Sequence, residues 1–146
     1  MRVGQAVVEV LIAMGIVTVA LLALIQVATR SVSNSGQSKR QSVATAYAQE
    51  GLEWIKRQRS VVAWSNFYDN GNLSPYCLNT IPAAWDAWST GACGSATIAG
   101  TEYTREARLT ASVVGGNQQL AAVVEVRWSE GGRTSSSRQE TYFLRY

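Results

Sequence analysis

The chain has 146 residues, enough for one ordinary domain with an appendage and too few for two full domains. Apolar residues make up 47% and charged residues 16%, with a net charge of +3, an ordinary globular balance. Histidine is absent, which removes His-based triads, His metal sites and histidine pH switches. Two cysteines cannot by themselves build a structural zinc site or an iron–sulfur cluster. No cofactor and no metal are expected.

The charge is unevenly spread. Over the 27 residues from Val3 to Thr29 the only charge is Glu9, where an average window of that length would hold about four. Val10 to Ile25 contains neither a charge nor a proline. Extended to Ala6 and Ala28, the segment reaches the roughly 20 residues that cross a bilayer core as a helix. It is apolar on every side, which no surface helix of a small globule is. A cleaved secretory signal and a plain membrane anchor are the alternatives. The long apolar run and the lack of an Ala-x-Ala site speak against the signal peptide. Glu9 is the anomaly. A carboxylate near a bilayer centre costs on the order of 3 kcal/mol, so its counter-charge must come from another chain or from a terminus created by processing.

Gly4-Gln5-Ala6-Val7-Val8-Glu9-Val10-Leu11-Ile12-Ala13-Met14 resembles the class III leader of type IV prepilins and type II secretion pseudopilins. The resemblance implies that a prepilin peptidase cuts after Gly4, removing residues 1–4 and leaving Gln5 as an N-terminus that the family usually methylates. Glu9 then becomes the fifth mature residue. In the family's assembly model, this acid meets the N-terminal ammonium of a neighbouring subunit. The pair neutralises two charges that are each costly in lipid, and does so only when the subunits are in register. Within one chain the new ammonium would lie one turn from Glu9, or ~6 Å along the helix axis. The sequence departs from the family in two places. Gln5 stands where phenylalanine is usual, and a free N-terminal glutamine can cyclise. The helix-kinking proline is missing, so Gly15 and Gly36 are the candidate weak points of the helix.

Residues 30–37 are polar and rich in poor helix formers, and read either as a linker or as a solvated stretch of helix. Amphipathic order returns at Lys39, with Ala44, Ala48, Leu52 and Ile55 on one face. One long helix is predicted from about Gln5 to Arg59. Residues 5–29 form its apolar polymerisation half and residues 30–59 its amphipathic continuation, in which Glu53 and Arg57 are expected to pair.

The head is residues 60–146. Its first part, 60–100, is an aperiodic loop region carrying Trp64, Phe67, Tyr68, Tyr76, Trp85 and Trp88. In a head with few aliphatics such residues usually fill the core, and an adhesive surface is the other reading. Cys77 and Cys93 enclose 15 residues and are expected to form a disulfide in an exported head; two free thiols would suit a cytosolic domain. Residues 101–146 read as an antiparallel meander of three strands, turned at Gly115-Gly116-Asn117 and Glu130-Gly131-Gly132. The last strand is edge-prone. The predicted fold is α+β: a long N-terminal helix whose second half is covered by a three-stranded antiparallel sheet, the layout of pilin-like proteins.

The function expected from the resemblance is a structural subunit of a type IV pilus or pilus-like filament. A minor pseudopilin of a type II secretion system and a membrane-anchored binding module that never polymerises are the alternatives. Expected partners are identical or related subunits, the prepilin peptidase, the membrane platform of the assembly machinery, and the membrane itself before assembly. The precursor would cross the bacterial cytoplasmic membrane once, and the assembled filament would be periplasmic or extracellular. An enzyme is not expected: no spacing singles out two of Asp69, Asp86, Glu102, Glu106, Glu125, Glu130 and Glu140, and there is no phosphate-binding glycine loop. Nucleic acid is not an expected partner, since Arg133, Arg138 and Arg145 read as solvated strand charges.

Overall fold

A computed structural model of the protein describes residues 3–72 and 75–145. Helix α1 (Val3–Val61) is followed by a short helix α2 (Trp64–Asp69), a 3-10 turn at Asn70–Asn72, and five strands. These are β1 (Tyr76–Cys77), β2 (Ser89–Thr90), β3 (Thr104–Val114), β4 (Asn117–Glu130) and β5 (Arg133–Leu144). They form one antiparallel sheet in the order β2-β1-β3-β4-β5. The α+β fold is as the sequence indicates. The chain divides into an N-terminal unit, 1–40, and a folded unit, 41–146.

The folded unit is built on the small-residue stripe of α1. Ala44, Ala48 and Ile55 are fully buried, and Leu52 nearly so. Between them Gly51 leaves room for the sheet, because a Cβ there would sit 3.1 Å from Val124 Cγ1 and 3.2 Å from Arg105 Cδ. Strands β3 and β4 answer with their alternating faces. Ala107 and Leu109 of β3 and Leu120, Ala122, Val124, Val126 and Trp128 of β4 are buried, as the period-2 pattern requires. From β5, the Ser137 hydroxyl lies 2.9 Å from that of Thr45. Both hairpin turns use consecutive glycines at positive φ, Gly115-Gly116 and Gly131-Gly132.

One polar group breaks the apolar layer. Arg105, 2% exposed, stands on the inner face of β3. Its Nε donates to the Leu78 carbonyl at 2.8 Å, while Nη1 donates to the Tyr47 carbonyl at 2.9 Å and to Glu50 Oε2 at 2.6 Å. Its backbone N–H donates to Asn79 Oδ1, and its carbonyl accepts from Leu78 N–H. The guanidinium therefore ties helix, sheet and loop together through Nε and Nη1, with the Glu50 carboxylate as its counter-charge, which is the condition under which a buried charge is tolerated.

Three expectations change. The sheet has five strands rather than three, because β1 and β2 are two-residue pairings too short to carry any periodicity. The 60–100 region also holds α2, whose Phe67 is buried. Glu53 is held by Lys56 Nζ at 2.8 Å, three residues on, rather than by the anticipated Arg57 four residues on. The helix is continuous through Gly15 and Gly36, and 30–37 is helical rather than a linker. β5 lies at the edge of the sheet, as its sequence suggests.

Removing the Arg105 fork would strand buried carbonyls and open a cavity. Arg105→Ala is expected to lose about 3 kcal/mol of unfolding free energy, measured by urea denaturation of the full chain in detergent. Arg105→Lys should recover only part of it, because an ammonium cannot span both carbonyls and the carboxylate. Tyr76 gives a second test. It is buried with its hydroxyl on the Asn70 carbonyl at 2.8 Å, and burial raises its pKa from 10.0 to about 12. The folded state thus holds a proton that the unfolded chain releases first, and this contribution is complete below pH ~10 and lost as pH rises towards ~12. The stability difference between wild type and Tyr76→Phe should shrink over that window, as read by urea titration at each pH.

Candidate functional site

In the N-terminal unit the candidate residues lie on α1. Met1 and Arg2 of the expected leader lie outside the described residues, as do the side chains of residues 3–7. Gly4 and Gln5 are accordingly placed only as helical backbone in the first turns of α1. Glu9 is exposed on the helix, and among the described residues it has no ion pair.

Around it the helix is uncovered. Every large apolar side chain from Val8 to Val27 is between 54% and 68% exposed. The helix is long and apolar enough to cross a membrane. Two of its polar residues are satisfied internally: the Thr18 and Thr29 hydroxyls donate to the Met14 and Ile25 carbonyls, each at 2.8 Å. A segment of this kind is not stable in water by itself. Lipid or the apolar sides of other helices would cover it, and in either medium an unpaired charge at Glu9 would be costly.

In the folded unit Cys77 and Cys93 are joined, with Cα atoms 4.7 Å apart. The ring they close is latched twice more. The Cys93 N–H donates to Glu106 Oε1 at 3.0 Å, and Glu106 Oε2 pairs with Arg127 Nη2 at 2.6 Å. The Glu106 side chain is only 5% exposed, so both oxygens need these partners. From inside the ring, Trp85 and Trp88 pack on Trp54 of α1 with ring centres 5.9 and 4.8 Å away. Phe67 and Tyr76 complete the cluster at 4.5 Å from Trp85 and 4.3 Å from Trp88. These aromatics are core.

Of the seven head acids, the fold sets Glu106 and Glu125 directly opposite on β3 and β4. Arg127 lies between them at 2.6 and 3.5 Å, making an ion-pair lattice on the outer face of the sheet. Arg138 is held by Glu140 at 2.8 Å, Arg133 opens β5 and Arg145 follows its last residue. Sequence reasoning missed the roles of Arg105 and Glu106. Arg105 was legible as an anomaly, a charge at an inward position of an alternating strand. Glu106 was not, because its burial comes from a loop that is distant along the chain. No family model, curated protein or solved structure matches this chain.

Closing a 15-residue loop contributes about 3 kcal/mol in the chain-entropy model. The double variant Cys77→Ser/Cys93→Ser is expected to lose stability on that scale in thermal or urea unfolding. Its tryptophan emission should shift to the red as Trp85 and Trp88 lose their cover, and an unshifted spectrum would show that Glu106 and the aromatic contacts hold the loop unaided.

Proposed function

We propose that this chain is a structural subunit of a type IV pilus or pilus-like filament, the secretion pseudopilin included, made as a membrane-anchored precursor and polymerised through α1. The observation that carries the reading is Glu9: a lone acid on an uncovered apolar helix, five positions after Gly4. A membrane anchor by itself gives no reason for a charge there, and the cost is retained without return. A filament gives one. Processing after Gly4 supplies an ammonium at Gln5, and a neighbouring subunit's ammonium neutralises Glu9 only in register. Cohesion then comes from packing of the exposed residues from Val8 to Val27 against the same surface of other subunits. The disulfide-closed head supports the same reading, since such bonds persist in oxidising compartments outside the cytoplasm.

Mass spectrometry of material sheared from cells tests this directly. The wild-type subunit should start at Gln5 and be present in the sheared fraction. Gly4→Val should leave full-length precursor in the membrane, and Glu9→Leu should be processed yet leave the sheared fraction at least about tenfold depleted, as loss of a registering charge pair implies. Undiminished fibres from Glu9→Leu refute the pairing role. Wild-type protein found only in membranes, never in sheared material, identifies a non-polymerising anchor instead.

A further inference from the structure

The head carries a cleft that neither the filament role nor the core explains. It has a volume of about 300 Å³, lies beside the start of β4, and is lined by Trp64, Ser65, Tyr68, Asp69, Gln118 and Arg145. Its aromatic wall is fixed. Tyr68 donates its hydroxyl to the Ser112 carbonyl at 3.1 Å and stacks on Trp64, with ring centres 5.8 Å apart. The Arg59 guanidinium lies 4.9 Å from the Trp64 ring centre.

The polar rim is fixed in orientation and only partly used. The Trp64 Nε1–H donates to Gln118 Oε1 at 2.7 Å, and Arg145 Nη1 donates to the same oxygen at 3.2 Å. Two donors on one oxygen define which way the amide points and leave its NH₂ group facing away from them. Among the described residues, the Asp69 carboxylate and the Ser65 hydroxyl make no hydrogen bond or ion pair, and Arg145 commits only that one side-chain N–H. The cleft thus presents a carboxylate acceptor, a hydroxyl, an amide donor and a guanidinium against two half-buried rings.

We propose that this cleft binds a neutral hexopyranose unit of a glycan. Its volume is at the small end of ligand sites, suited to one or two sugar rings. The two charged residues that line the cleft, Asp69 and Arg145, oppose each other, so its lining favours neither an anionic nor a cationic ligand. An aliphatic ligand would cover four hydrogen-bonding groups without offering them partners, which is costly. A pyranose satisfies both halves of the lining. Its C–H face lies on an aromatic ring, and its edge hydroxyls donate to Asp69 and accept from Gln118 and Arg145.

The test uses the full chain in a detergent without a sugar headgroup. Methyl glucopyranoside, methyl galactopyranoside, methyl mannopyranoside and N-acetylglucosamine are titrated by saturation-transfer NMR. At least one should bind in the millimolar range expected of so small a ligand. That affinity should fall at least about tenfold in both Asp69→Ala and Arg145→Gln, the scale of a lost charge-assisted hydrogen bond. Both residues are exposed, so unchanged thermal unfolding confirms that the variants are folded. Absence of binding by all four sugars, or equal affinity in the wild type and both variants, overturns the proposal. Neither result depends on polymerisation.

Discussion

The folded unit depends on a guanidinium placed where an apolar side chain would be expected. Arg105 reaches across the helix–sheet layer above Gly51 and engages the Tyr47 carbonyl, Glu50 and the Leu78 carbonyl. A buried apolar residue at this point would give comparable burial, but it would not specify which helical turn meets which strand position. Directional bonds do that, at the cost of burying a charge. Gly51 is the complementary constraint, because any side chain there would meet both Val124 and the Arg105 stem.

Around that tie the aromatics behave as a second, softer core. Trp54 on α1, Phe67 on α2, Trp85 and Trp88 in the disulfide ring and Phe143 on β5 form a continuous group. Large rings let a segment with few aliphatics bury enough area to stay attached to the sheet. The disulfide and Glu106 then fix the ring's two ends. An irregular region of the chain gains order from these three devices together with the short backbone pairings of β1 with β2 and β3.

The N-terminal unit follows opposite physics. The large apolar side chains from Val8 to Val27 are exposed, the Thr18 and Thr29 hydroxyls are satisfied locally, and among the described residues Glu9 has no ion pair. The head buries a core of its own, whereas the apolar side chains described on the helix are left exposed. That contrast is what the proposed filament subunit would need.

Much was legible in the sequence because it repeats. All-round apolarity over residues 10–25 encodes an apolar helix, and the i, i+4, i+8, i+11 stripe from Ala44 to Ile55 and the alternation of Arg105, Ala107 and Leu109 and of Leu120 to Trp128 encode elements and their buried faces. Glu9 stood out for the same reason, as one exception to a uniform run. Tertiary structure alone decided what has no period. The two-residue strands β1 and β2, the burial of Glu106 under Cys93, the choice of Lys56 over Arg57 for Glu53, and the cleft between α2 and the start of β4 all join residues distant in sequence or equivalent within it. Periodicity reports which face of an element is dry. Which particular groups meet across that face depends on distances that exist only once the chain has closed on itself.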